Sequence, residues 1–304
     1  MNINQKAIEL LEENKYDESL KLFQQALQEL RDVQSLTNLA WIYCHEEDDY
    51  IAALGLLEEA IKMNPISYFP YNLLGEVYLR TEKWEDAKDI LQKSIEIQPT
   101  KEAYNNLAMA NYNLGNVEAA AKYFLLGSDE SDWALYGHVK CLLELGYIDE
   151  AKRKLDTFSQ DDEEFVGEID LADLYIEVGS YIAAVEWFEK GWTIYAKHPD
   201  WISRYVFSLM KLNKLDRSNE ILHETIKEKT EELKDLDEEE VDETWTETDK
   251  QEIIRELQDE IAEYKQTFKR ISSAYIPSME FEPFVKTACY LFGCNRHNHP
   301  EYKG

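Results

Sequence analysis

Residues 68–81 read YFPYNLLGEVYLRT and residues 102–115 read EAYNNLAMANYNLG; the letters change while the spacing of apolar positions stays. Within each stretch the apolar residues step by three and four, which predicts a helix with one buried face. A second pattern runs behind it: a small residue, a large apolar one four later, and a small one three after that. Ser19/Phe23/Ala26, Ala53/Leu57/Ala60, Ala87/Leu91/Ser94 and Ala120/Phe124/Gly127 obey it, and Ala151/Leu155/Phe158, Ala184/Phe188/Gly191 and Ser218/Leu222/Thr225 follow it more loosely. The triplets start 34, 34, 33, 31, 33 and 34 positions apart, a period that marks an array of repeats rather than one packed core.

Each unit reads as a helical hairpin. A first helix carries Leu74, Gly75 and Tyr78, or Leu107, Ala108 and Asn111, or Leu171, Ala172 and Tyr175. Polar breaks such as TEKW, LGNV and VGSY separate it from the second helix, and Pro65 and Pro99 stop the chain after that helix because proline lacks the amide a helix interior needs. The small residues of the triplets allow two helices to cross closely.

These residues resemble the tetratricopeptide repeat family over roughly residues 3 to 226. The best unit, YNLLGEVYLRTEKWEDAKDILQKSIEIQP, matches at Tyr71, Leu74, Gly75, Tyr78, Trp84, Ala87, Leu91 and Pro99. Departures are a short leading helix in the first unit, an extra residue in CHEEDDY and a shortened fifth unit. The resemblance implies an all-α fold: a right-handed superhelical solenoid of about seven helix-turn-helix repeats with a C-terminal capping helix.

Four segments are expected: a repeat array over 1–226, an acidic connector or helix extension over 227–250, an amphipathic capping helix over 251–275, and a tail over 276–304 with a Cys/His cluster. Lys227 to Glu263 holds 17 acidic and five basic residues, so this stretch supplies net −12 of the chain's −30. Thr248 with Gln251 reads as a capping box. Beyond it Ile254, Leu257, Ile261, Tyr264, Phe268 and Ile271 form one stripe, expected to cover the exposed end of the array, with a coiled-coil homodimer through the C-terminal helix as the alternative.

Charge narrows the partners. A net −30 repels a phosphate backbone, so no nucleic acid is expected, and a basic protein is the better electrostatic match. No apolar run approaches the ~18 residues of a membrane helix and the N-terminus has no signal pattern, so a cytoplasmic protein without a membrane partner is expected. Four scattered cysteines fit a reducing compartment.

Chemistry is sparse. Phosphate-cradling, zinc-protease, dinucleotide and nucleophile-elbow motifs are absent, so a non-catalytic chain is expected. Ligand types crowd only in CYLFGCNRHNHPEYKG, where Cys289, Cys294, His297 and His299 match a zinc inventory, although the two histidines are closer than usual; the plain alternative is a tail with incidental polar residues and no cofactor.

The resemblance further implies that inward positions on the first helices line a groove for a peptide or protein partner: Trp41, Asn72, Glu76, Arg80, Asn105, Asn106, Met109, Tyr112, Trp133, Tyr136, Lys140, Asp173 and Phe207. Asparagine amides can each donate to a carbonyl and accept from an amide, reading a peptide backbone independently of its side chains. Glu76 and Glu102 stand where a clamp for an acidic chaperone tail would need lysines. A non-catalytic interaction scaffold or adaptor is therefore expected, with a peptide-sensing regulator or a protein with a small zinc-binding C-terminal tail as alternatives.

Overall fold

Steps of three and four along the chain become fifteen helices and, among the described residues, no strand. The computed structural model describes residues 2–128, 131–241, 245–272, 276–277, 279 and 281–303, with the side chains of 132 and 134 left aside. Residues 242–244 of the expected connector, 273–275 of the expected capping helix, and 278, 280 and 304 of the expected tail lie outside the described residues.

The helices are α1 (Ile3–Glu12), α2 (Tyr16–Glu29), α3 (Val33–His45), α4 (Tyr50–Lys62), α5 (Phe69–Arg80), α6 (Trp84–Ile97), α7 (Lys101–Asn113), α8 (Val117–Gly127), α9 (Asp132–Glu144), α10 (Ile148–Leu155), α11 (Glu168–Glu177), α12 (Tyr181–Gly191), α13 (Pro199–Lys211), α14 (Leu215–Glu238) and α15 (Glu247–Ser272). The turns inside the hairpins repeat as the triplets do. Asn14, Asp48, Glu82, Gly115, Gly146, Gly179 and Asn213 all have positive φ, at the same intervals as the triplets. A left-handed residue after the last helical turn lets the next amide bond back across it, as Lys83 N–H does to Tyr78 O at 2.8 Å and Asn116 N–H to Asn111 O at 2.8 Å. In the second hairpin the returning bond, Asp49 N–H to Tyr43 O at 2.8 Å, spans one residue more, which accommodates the extra residue of CHEEDDY.

The array expected over 1–226 is divided into two compact units, residues 1–146 with 282–304, and residues 147–281. The division falls at Gly146, ahead of the shortest helix, the eight-residue α10. In the first unit the triplet residues Phe23, Ala26, Ala53, Leu57, Ala60, Ala87 and Leu91 are fully or almost fully buried. Gly75 shows why one position must be small: a Cβ there would stand 2.5–2.6 Å from Leu91 side-chain atoms across α5 and α6.

In the second unit Phe188 stacks on Tyr205 at 5.2 Å, and α15 packs on α13 and α14. Ile254, Leu257, Ile261, Tyr264 and Ile271 are buried there, while Phe268 is half-buried and Thr267 takes the inner place. The described stripe residues are thus covered largely within the chain, in the manner expected of a capping helix. The cap of α15 also differs from the Thr248/Gln251 box. Thr246 N–H and Oγ1 donate to Asp249 Oδ2 at 2.9 and 2.7 Å, and Asp249 N–H returns to Thr246 Oγ1 at 3.3 Å, because the helix starts two residues earlier and aspartate is short enough to reach back. The acidic stretch continues α14 as a solvated helix to Glu238.

Candidate functional site: a groove that holds an extended segment

The first helices of the first unit carry an asparagine column. Asn4, Asn38, Asn72 and Asn106 lie 34 residues apart, and Lys140 continues the series at the same interval. All five are buried. What lies against the column is the chain's own C-terminal segment, non-helical from Glu282 onward and packed on α1, α3, α5 and α7.

Alternate residues of that segment are held by their backbones. Asn105 Nδ2 donates to Phe284 O at 3.2 Å. Asn106 binds Lys286 twice, Nδ2 donating to its carbonyl at 2.8 Å and Oδ1 accepting its amide at 2.8 Å. Trp41 Nε1 donates to Ala288 O at 3.1 Å. Asn38 repeats the double contact on Phe292, at 3.1 and 2.8 Å. The contacted residues, 284, 286, 288 and 292, are all even-numbered, the two-residue period of an extended chain with one face toward its receptor. Asn72 instead donates to the Tyr290 hydroxyl at 3.3 Å, its carbonyl taken by Ser94 Oγ.

Side chains supply the anchoring. Tyr290, Leu291 and Phe292 are 2–3% exposed. Phe69 of α5 stacks on Phe292 at 4.9 Å and lies 5.7 Å from Tyr290, and Trp133 of α9 meets Phe284 at 5.3 Å. Each buried aromatic contributes about 1.5–3 kcal/mol through removal of apolar surface from water. Farther on, Tyr302 N–H donates to Gln34 at 2.9 Å and Asn2 to Glu301 at 3.0 Å.

Beneath Tyr290 lies Glu76, whose side chain is fully buried, 3.3 Å from His45 Nε2. Burial pushes the Glu76 carboxyl up, against the lowering influence of His45, Arg80 and the Tyr290 hydroxyl. The same burial raises Tyr290 well above the usual phenol range, and pushes the neighbouring Cys44 thiol to about 12.

The residues expected to line a groove divide as follows. Trp41, Asn72, Asn105, Asn106 and Trp133 touch the C-terminal segment. Tyr136 stacks on Trp133 at 6.1 Å, Met109 is core, and Arg80 lies over the Tyr50 ring at 5.6 Å. Tyr112 is half-buried and Lys140 buried. Phe207 and Asp173 belong to the second unit, where Phe207 meets Tyr181 edge-on at 6.0 Å and Asp173 pairs with Arg204 at 2.7 Å. Asn38 and Gln34 were not among the expected residues. The 34-residue step from Asn72 and Asn106 back to Asn38 was the signal that finds the more important of them.

The Cys/His residues sit at the end of this segment. Cys289, Cys294 and His297 present ligand atoms within 4.8 Å of one another. His299 stands outside the group: its Nδ1 is 3.2 Å from Leu291 O and its ring meets Phe69 at 4.7 Å. Gly293 has φ +87°, and a Cβ there would stand 3.0 Å from Gln5 Oε1, so only glycine fits this corner without a shift.

Models of the tetratricopeptide repeat match residues 45–111 and 101–127. Residues 45–127 are tetratricopeptide repeats. A tetratricopeptide repeat protein from Parabacteroides merdae is 16% identical, with 86% of this chain and 97% of that one covered and a TM-score of 0.56. An assembly chaperone of RpL4, Acl4, is 15% identical over 72% of this chain and 98% of its own, with a TM-score of 0.51. At these identities the likeness is one of fold. No curated protein matches by sequence. No described helix is long and apolar enough to cross a membrane.

Proposed function

We propose that this protein is a non-catalytic interaction scaffold whose first unit receives an extended peptide, and that its own residues 284–292 occupy the receiving groove until a partner displaces them. The observation that carries this reading is the paired contact of Asn38 and Asn106 with backbone N–H and C=O. Backbone recognition of this kind does not depend on sequence, so the same column serves another extended chain. Sequence preference then rests on the pockets for alternate side chains, above all the Phe69 site that holds Tyr290 and Phe292.

Charge favours a partner with basic residues. Residues 282–304 carry Lys286, Arg296 and Lys303 against Glu282 and Glu301, a net +1 in a chain of −30. Glu76 gives a lysine- or arginine-bearing peptide a carboxylate that Tyr290 covers in the self-occupied state.

The reading is tested by inserting a protease site after Pro277 in the full chain, cleaving it, and adding labelled peptide of residues 282–304. Exchange of the labelled peptide into the cleaved protein is expected, with binding weakened at least tenfold by Asn38→Ala/Asn106→Ala. A freed segment that neither leaves nor exchanges would make it a permanent strap and overturn the proposal.

A further inference from the structure

We propose that Cys289, Cys294 and His297, completed by Glu12 of α1, form a binding site for a zinc-class divalent cation that fastens the C-terminal segment to the first hairpin. Three ligand atoms already lie within 4.8 Å of one another, and Cys294 Sγ is 3.2 Å from His297 Nδ1. In a tetrahedral zinc site with Zn–S ~2.3 Å and Zn–N ~2.0 Å, ligand atoms stand roughly 3.5–4 Å apart, so closing on an ion draws the widest-spaced atoms in by at most about 1 Å while the Cys294–His297 pair opens by a few tenths of an ångström. The fourth position is the informative one. His299 is committed to Leu291 O and Phe69, whereas Glu12 Oε1 stands 3.9 Å from Cys294 Sγ on an exposed side chain free to turn.

Backbone hydrogen bonds close the loop that carries the ligands. His299 N–H donates to Cys294 O at 2.9 Å, Asn298 N–H to Asn295 O at 3.1 Å, and Gly293 N–H to Pro300 O at 3.0 Å, which holds residues 294–299 in a closed loop. A cleft of about 370 Å³ opens beside it, lined in part by Glu12, Asn14, Tyr16, Cys289, Cys294 and His297. This cleft gives an ion a path from solvent. Two thiolates, an imidazole and a carboxylate suit zinc over magnesium or calcium, which demand oxygen ligands.

Such an ion ties the segment to α1 two residues beyond the Phe292–Asn38 contact. A metal-dependent latch on the groove follows, and this consequence rests on the reading of the groove as a displaceable site. Binding itself does not.

The test is a cobalt(II) titration of the reduced, metal-stripped full chain, followed by displacement with zinc. One cobalt per chain is expected, with tetrahedral visible bands and a thiolate-to-cobalt charge-transfer band. Cys289→Ser and the exposed His297→Ala should abolish or strongly weaken that spectrum, and Glu12→Gln should weaken binding at least tenfold, while His299→Ala leaves it unchanged; far-ultraviolet circular dichroism checks that each variant folds. A spectrum without thiolate charge transfer overturns the site, and so does weakening by His299→Ala in place of Glu12→Gln. For the latch, zinc should slow hydrogen exchange at the Phe292 amide at least tenfold. Unchanged exchange in the zinc-loaded chain removes the latch and leaves the groove reading to its own exchange experiment.

Discussion

Asn106 fills two roles with one side chain, donating to Lys286 O and accepting Lys286 N–H, and it does so from a position that water does not reach. Removing it leaves a carbonyl and an amide without those bonds at a cost of about 1–3 kcal/mol. Asn106→Ala should therefore speed hydrogen exchange at the Lys286 amide by roughly ten- to a hundredfold, with little change at amides of the second unit. Asp173 supplies a separate test. Burial outweighs the paired Arg204 guanidinium and lifts its carboxyl from the usual 3.8 to about 7. A folded-state value above the unfolded one means that the associated stability is present at acid pH and is lost as pH rises through about 7. The thermal midpoint of the second unit should fall between acid and mildly alkaline pH, and Asp173→Asn should flatten that fall; a variant with an equally steep pH profile would refute the assignment. The backbone-reading capacity of Asn106 was legible in its amide inventory, but the role of Asp173 was not: Asp173 had the periodicity of a groove residue, and nothing in one sequence distinguishes an inward position that meets a ligand from one that meets an arginine.

At the scale of elements the hairpin is governed by close approach and by its turn. Gly75→Ala would drive a methyl into Leu91, and overpacking of this kind costs typically 1–3 kcal/mol. A matching drop in denaturation midpoint of the first unit is expected, partly recovered when Leu91→Val makes room. Glu82 is the opposite case. It holds a left-handed backbone, φ 56°, at the turn position that three other hairpins fill with glycine. Glu82→Gly should raise stability by about 1 kcal/mol, because glycine avoids the contact between Cβ and the following carbonyl. Helix identity, period and the small triplet residues were legible because each depends on spacing within about thirty residues. The Thr248/Gln251 box was misread because several polar residues near 246–251 satisfy a capping pattern, and only the helix start selects Thr246 with Asp249.

For the whole molecule, the groove and its occupant lie far apart in sequence, Asn38 and Phe292 being 254 residues apart. The contact is built from neutral amide bonds and buried aromatics, so retention of the cleaved segment should change little between about 0.1 M and about 1 M salt, over which the Debye length shortens from ~10 to ~3 Å. A lysine-rich competitor acting on the −30 chain should lose affinity steeply over the same range. The sequence by itself determined the helical hairpins, their 34-residue beat, the column of asparagines able to read a backbone, and the ligand types near the C-terminus. Each of these is a local property, written in side-chain size, spacing and donor inventory. Only the tertiary structure decided that the asparagines face the chain's own residues 284–292, that the repeat tract divides at Gly146, and that Glu12 stands beside Cys294 while His299 turns away. Those outcomes depend on which distant segment buries the most apolar surface against the groove, a choice made in three dimensions by Tyr290, Leu291 and Phe292.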